Sequence, residues 1–173
     1  HVRMMKTGFE DIELARGFGL PYVYRREARP YDTTTLNYNW QIWDTKAFSV
    51  YTSATDRIDT GSARQAIHAV LNFLNKNGVI DYPYGEGYLS QYIDGSAMTN
   101  VKTEAAGILV RHTQVNTHVK KGEILAQILD PFTGETKENV KSPVDGIVFF
   151  HVNQPIIYSQ TPLFRIIPGD DLI

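Results

Sequence analysis

Hydrophobic positions in the first half of the chain recur at helical spacing three times, with short apolar runs between them. Phe9, Ile12, Ala15 and Phe18 form a stripe behind Thr7-Gly8, with Glu10, Asp11 and Glu13 in the first turn, where negative charge suits the helix dipole. Gly19 is placed to end this helix, and Leu20-Pro21-Tyr22-Val23-Tyr24 to follow as a short strand. Asp32-Thr33-Thr34 can cap a second helix whose face is Leu36, Trp40 and Trp43, a spacing that assigns those rings, with Tyr38, to the core. Ala47-Phe48-Ser49-Val50-Tyr51-Thr52 reads as a strand with a buried side. Asp59 or Thr60 caps the clearest helix, with the stripe Ile67, Val70, Leu71 and Leu74 and a stop at Asn77-Gly78. The order helix, strand, helix, strand, helix predicts the edge of a mostly parallel α/β sheet that opens without a first strand.

The pattern changes in the second half. Residues 81–97 carry four Tyr and three Gly with no helical period, and residues 81–103 read as a connector with irregular strands. From Glu104 onward short β-rich runs alternate with turn signals such as Lys120-Lys121-Gly122, Thr133-Gly134 and Asp145-Gly146. Two stretches match: Gly107-Ile108-Leu109-Val110 with Gly146-Ile147-Val148-Phe149, His112 with His151, then Val119 with Ile157 and Leu125 with Leu163 after a one-residue gap. Each repeat is too small to bury its own face, so the two are expected to clasp. The boundaries are therefore an α/β part at 1–80, the connector at 81–103 and a β-domain at 104–173.

The chain has 173 residues, with ten Tyr, eight Phe and two Trp, and a net charge of -2 from 17 basic and 19 acidic residues. The aromatic content argues against disorder. Near-neutral charge gives no electrostatic case for nucleic acid or for an anionic membrane, and no apolar run approaches the roughly 18 residues of a spanning helix. The lack of cysteine excludes a disulfide scaffold and thiolate chemistry. Position 1 is His and no leader-like segment follows, so the chain reads as a piece of a longer, cytoplasmic protein.

The second half resembles the barrel-sandwich hybrid of biotinyl and lipoyl carriers in Val119-Lys120-Lys121-Gly122-Glu123-Ile124-Leu125 and in Lys141-Ser142-Pro143-Val144-Asp145-Gly146. Carriers place their modified lysine eight residues before that proline. Here the position holds Glu135, and Lys137 lies two residues further on, off the expected hairpin tip. A carrier function is disfavoured on that ground, and Lys137 reads as a solvated hairpin lysine.

Both halves together resemble the C-terminal portion of the succinylglutamate desuccinylase/aspartoacylase family. The resemblance is carried by Val2-Arg3-Met4, Leu14-Ala15-Arg16-Gly17-Phe18-Gly19, Asp32-Thr33-Thr34-Thr35-Leu36, Ala47-Phe48-Ser49-Val50, Arg57-Ile58-Asp59 and the helix ending at Gly78-Val79-Ile80. It implies a truncated zinc-carboxypeptidase-like α/β domain followed by a barrel-sandwich-hybrid-like β-domain. It also implies hydrolysis of an amide or ester of a small carboxylated, acyl-amino-acid-like substrate. The family's zinc is held by a His-x-x-Glu pair and a later His, all expected upstream of this chain. The five His here (His1, His68, His112, His118 and His151) have no metal-ligand spacing. Zinc is thus expected for the longer protein and no metal for this chain, which is expected to be inactive alone.

Alignment with the family's "T-V-E-x-G" segment puts Tyr51 at the position of its general-base Glu. A carboxylate can take a proton from zinc-bound water, whereas a phenol starts near pKa ~10. Tyr51 therefore marks variant chemistry, lost activity or a strand tyrosine, with Asp56 downstream as the substitute base. Arg3 is the expected substrate-binding residue, because a guanidinium holds a carboxylate with two parallel hydrogen bonds. Arg25-Arg26 and Arg29 read as a solvated basic loop able to line a cleft. The rival reading is a non-catalytic binding or assembly module, with a second copy of the chain as the partner class left open.

Overall fold

A computed structural model describes residues 1–52, 58–83 and 85–169. Within them the chain is a mixed α/β fold of three four-stranded sheets and few helices, in two compact units, His1–Ser96 and Ala97–Ile173.

In the first unit β1 (Val2–Lys6) runs parallel to β2 (Tyr22–Glu27) and antiparallel to the short β3 (Ser49–Val50). β4 (Gln91–Asp94) extends the sheet beyond β2 in parallel, giving the order β3-β1-β2-β4. The expectation that the sheet opens without a first strand is thereby corrected: Val2-Arg3-Met4-Met5 is an inner strand. Val2, Met4 and Met5 are all buried, as in strands covered on both faces, so no alternation marks the segment in the sequence. β4 lies inside the stretch read as connector.

One face of this sheet is closed by α1 (Ile12–Arg16) and α3 (Thr60–Lys76), which share a core of Val2, Met4, Ala15, Phe18, Leu20, Val23 and Ala69. The rings of Phe18 and Phe73 stack at 4.2 Å, with Phe48 edge-on to both. α1 is shorter than its apolar stripe. Asp11 caps it by accepting from the Leu14 N–H, while the Glu10 carboxylate accepts from the N–H groups of Thr7 and Gly8 and leaves Phe9 exposed. The cap residue is Gly17, two residues before Gly19. Gly19 serves a close approach instead: at φ +63°, an added Cβ would stand 2.6 Å from the Glu86 carbonyl oxygen.

The other two helices depart from their predicted faces. α2 (Leu36–Ile42) starts at the Thr35 cap, after a 3-10 turn at Pro30–Thr34. It turns Gln41 inward and leaves Leu36, Trp40 and Trp43 exposed, which corrects their assignment to the core. The reason lies in β1: beyond the short β3, Gln41 Nε2 donates to the Met5 carbonyl at 2.6 Å and Gln41 Oε1 accepts from the Met5 N–H at 3.3 Å. An amide thus satisfies backbone groups that a strand would otherwise pair. α3, capped by Asp59, buries Ala69 and Asn72, while Ile67 and Val70 of its predicted stripe are exposed.

An ion pair fixes the turn before α2. Arg26 donates to both Asp32 carboxylate oxygens, at 2.8 and 2.6 Å, and the Arg29 N–H adds a third bond at 2.7 Å. Burial pushes the Asp32 carboxyl upward, but these donors outweigh it and hold it below its usual range. Arg25 is likewise committed, to Glu10 and Asp94. The Ser96 N–H and hydroxyl and the Arg25 guanidinium hold Asp94 far below the usual carboxylate range. Arg25 and Arg26 are therefore paired strand residues, not a solvated loop.

In the second unit the first repeat forms β5 (Thr99–Lys102), β6 (Gly107–Arg111), β7 (His118–Val119) and β8 (Ile124–Leu129). The second forms β9 (Thr136–Lys141), β10 (Gly146–His151), β11 (Ile156–Ile157) and β12 (Pro162–Pro168). The sheets are β5-β12-β10-β7 and β11-β6-β8-β9, so each sheet mixes strands of both repeats around a common core that includes Leu125, Ile128, Leu163 and Ile166. The equivalence extends to details. The Thr103 hydroxyl donates to the Ala105 carbonyl as that of Ser142 does to Val144. The His112 N–H donates to Leu125 as that of Val152 does to Leu163. His151 is therefore the counterpart of Arg111, not of His112, because a register shift between Val148 and Phe150 adds one residue to β10.

A Cβ on Gly107 would stand 2.2 Å from the Leu129 carbonyl oxygen, and one on Gly146 2.1 Å from that of Ile167. Gly107→Ala and Gly146→Ala are each expected to cost about 1–3 kcal/mol by overpacking, and an unchanged denaturation midpoint for either would contradict the close approach. Asp32→Ala is expected to cost about 3–5 kcal/mol at neutral pH, as loss of one partner of a buried pair does. Because its carboxyl is depressed in the folded state, the contribution of Asp32 is present above the unfolded pKa of ~3.9 and is lost as pH falls through the folded value. Urea unfolding between pH 7 and pH 2 should show the wild type converging on the variant below about pH 4; parallel curves would remove the pair from the account.

Candidate functional site

The face of the first sheet opposite α1 and α3 carries Arg3 and Tyr24, which are register partners on β1 and β2. Strand alternation sends Val2 and Met4 to the helical layer and Arg3 to this side. β3 pairs with the start of β1, and the ladder continues with the Tyr51 N–H donating to the His1 carbonyl at 3.0 Å. Tyr51 is thereby brought beside β1 although 48 positions separate it from Arg3.

Four side chains meet there. The His1 imidazole stacks on the Tyr51 ring at 5.1 Å and 2°, and meets the Tyr24 ring edge-on at 5.7 Å. The Arg3 guanidinium carbon lies 4.3 Å from the Tyr51 ring centroid, within cation–π range. Arg3 Nε is buried without a hydrogen-bond partner, and among the described residues Arg3 has no carboxylate in ion-pair contact. Two of the residues singled out in the sequence, Arg3 and Tyr51, are thus adjacent; Asp56 lies outside the described residues. His1 and Tyr24 belong to the same constellation and were missed. Tyr24 could have been found from the strand period, as the position next to Val23.

Among the described residues no group of three or more His, Cys, Asp or Glu stands together as a metal site. The histidines are dispersed: His68 Nδ1 lies 2.5 Å from the Tyr82 hydroxyl, His112 Nε2 3.1 Å from Gln127 Oε1, and His151 Nδ1 3.2 Å from Arg111 Nη1. The donor set at β1 and β3, one imidazole beside a guanidinium and two phenols, does not fit zinc by itself, since a catalytic zinc needs three protein ligands.

A cavity of about 590 Å³ lies on the helical side of the first unit, between α3 and residues 82 and 85–88, lined by Gln65, His68, Asn72, Tyr82 and Tyr88 among others. It is separate from the Arg3 face. In the second unit, residues 130–135 form the β8–β9 turn, where Asp130 Oδ1 accepts from the N–H groups of Phe132 and Thr133. Phe132 projects into solvent at the tip, and Lys137 sits on β9 with its Nζ 3.8 Å from Asp130 Oδ2. Lys137 is thus tied to the base of the turn.

No family model and no curated protein sequence matches the chain. Solved structures do. A succinylglutamate desuccinylase from Silicibacter sp. TM1040 aligns with a TM-score of 0.74 at 14% identity, over 95% of this chain and 52% of that one. The ectoine utilization protein EutE (DoeB) from Ruegeria pomeroyi gives 0.73 at 15%, over 95% and 54%. A succinylglutamate desuccinylase/aspartoacylase from Rhodobacter sphaeroides gives 0.73 at 16%, over 95% and 52%. The chain spans about half the length of these structures. The likeness is one of fold, and the fold is that of about half of a succinylglutamate desuccinylase/aspartoacylase family protein.

Proposed function

We propose that these residues are part of a longer zinc-dependent deacylase of the succinylglutamate desuccinylase/aspartoacylase family, acting on a small carboxylated acyl-amino-acid-like substrate. In this reading the first unit belongs to a zinc-carboxypeptidase-like domain and the second is its barrel-sandwich-hybrid-like appendage. The fold likeness supports the family. The observation that carries the substrate class is the Arg3 guanidinium, held against Tyr51 with no carboxylate in ion-pair contact among the described residues, Asp32 acting on it only at longer range. Such a group is ready to accept a substrate carboxylate in bidentate fashion.

The zinc of the longer protein would supply an activated water. Its ligands are expected outside this chain. What these residues do is bind and orient. Arg3 takes the substrate carboxylate, Tyr51 is the aromatic platform that limits where the guanidinium can swing, and β3 keeps the platform in register with β1. By the resemblance Tyr51 takes the place of the family's general base, where a phenol hydroxyl is a poorer proton acceptor than a carboxylate. The reading needs neither nucleic acid nor membrane, and no described helix is long and apolar enough to cross a membrane.

The test is steady-state hydrolysis of N-acyl amino acids by the protein produced from its natural reading frame. Arg3→Gln should raise KM for substrates with a free carboxylate by roughly 10- to 100-fold, the loss of about 1.5–3 kcal/mol of charged hydrogen bonding. It should leave the corresponding carboxamides unaffected. Tyr51→Phe should retain turnover and Tyr51→Ala should raise KM. An equal effect of Arg3→Gln on carboxylate and carboxamide would remove Arg3 from substrate binding, and loss of turnover in Tyr51→Phe would assign the hydroxyl to proton transfer.

A further inference from the structure

α3 carries two faces. Ala69, Asn72 and Phe73 pack toward the sheet, with Asn72 Nδ2 donating to the Glu86 carbonyl at 2.9 Å and Phe73 stacked on Phe18. More than 90° around the helix lies the stripe read from the sequence, Ile67, Val70, Leu71 and Leu74 at i, i+3, i+4 and i+7, with Ala63 one turn before it. Ile67 is 59% exposed and Val70 42%, and Leu71 and Leu74 are only half-buried. No charged residue interrupts the stripe. Single apolar residues on a surface are ordinary, but four at this spacing form a ridge of the kind that packs against another helix.

We propose that this outer face of α3 seats a second helix belonging to the polypeptide that completes the fold outside residues 1–173. The inference rests on the reading of the chain as part of a longer hydrolase. Its occupant is argued from length: the matched structures cover 95% of this chain with only 52–54% of their own, so each carries nearly as much chain again. A helix laid beside α3 on the same sheet face would need a strand beneath it. β3 offers the place, because it is a two-residue edge strand paired on one side only, with β1. The partner helix should present aliphatic side chains at the same i, i+3, i+4, i+7 spacing, at the 8–10 Å axial separation usual for packed helices.

The absence of native cysteine in this chain gives a direct test. Val70→Cys is introduced both into residues 1–173 and into the protein from the natural reading frame, with Lys121→Cys in the second unit as an exposed control. Alkylation by iodoacetamide is followed on the corresponding peptides by mass spectrometry. In residues 1–173 both positions should react alike. In the longer protein Val70→Cys should react at least about tenfold more slowly while Lys121→Cys is unchanged, as burial under a stable contact requires. Equal reactivity at Val70→Cys in the two proteins overturns the proposal, as does a reading frame holding no further chain. Protection within residues 1–173 that grows with their concentration would place a second copy on α3 and overturn it too. The deacylase reading fails separately: a longer protein that protects Val70→Cys yet hydrolyses no acyl-amino acid keeps this inference and loses the activity, and an active protein without protection does the reverse.

Discussion

β1 is the constraint on which the first unit turns. It is paired with β2 along its length and with β3 at Val2 and Arg3, and Val2, Met4 and Met5 are buried, so its register is fixed. A one-residue slip would exchange Arg3 with Val2 or Met4 and place a guanidinium in the aliphatic layer. The same pairing dictates what stands next to Arg3. β3 brings Tyr51 to the start of β1, β2 brings Tyr24, and Gln41 closes the backbone of Met5 where β3 ends. The candidate site is a by-product of how this strand is satisfied.

The second unit solves a different problem, that of two repeats each too small to enclose a core. Exchanging strands between two sheets gives both repeats a covered face, and the two glycines at the equivalent starts of β6 and β10 let the neighbouring strand of the same sheet, β8 and β12 respectively, approach closely. The same arrangement carries the β8–β9 turn outward, but there Lys137 is held by Asp130 below the tip and Phe132 occupies the apex. The turn thus presents Phe132, and not a lysine, at its exposed apex.

Local chemistry written in a few adjacent residues was legible from the sequence. The Asp59 cap of α3, the repeat in the second half and the turn at Thr133-Gly134 are all of this kind. What escaped depended on contacts far along the chain. β1 was not recognised because a strand covered on both faces shows no alternation. β4 stands in a tyrosine- and glycine-rich stretch read as a connector with irregular strands, with nothing there to mark β2 as its partner. Trp40 and Trp43 were assigned to the core from spacing alone, yet the inward position on α2 went to Gln41, because the backbone of a strand 36 residues earlier needed an amide. Periodicity on α3 found a real apolar face but assigned it to the wrong neighbour, since Ala69 and Asn72 allow the close approach to the sheet and the loop that bulkier residues would block. Arg3 and Tyr51 were singled out separately; their contact depends on the β1–β3 register.

The account is tested most directly by a crystal structure of the protein from its natural reading frame with the carboxylate product of an N-acyl amino acid bound. It predicts a carboxylate oxygen about 2.7–2.9 Å from the Arg3 guanidinium, with Tyr51 still beneath the guanidinium. A product held elsewhere, with Arg3 making no contact to it, would contradict the account.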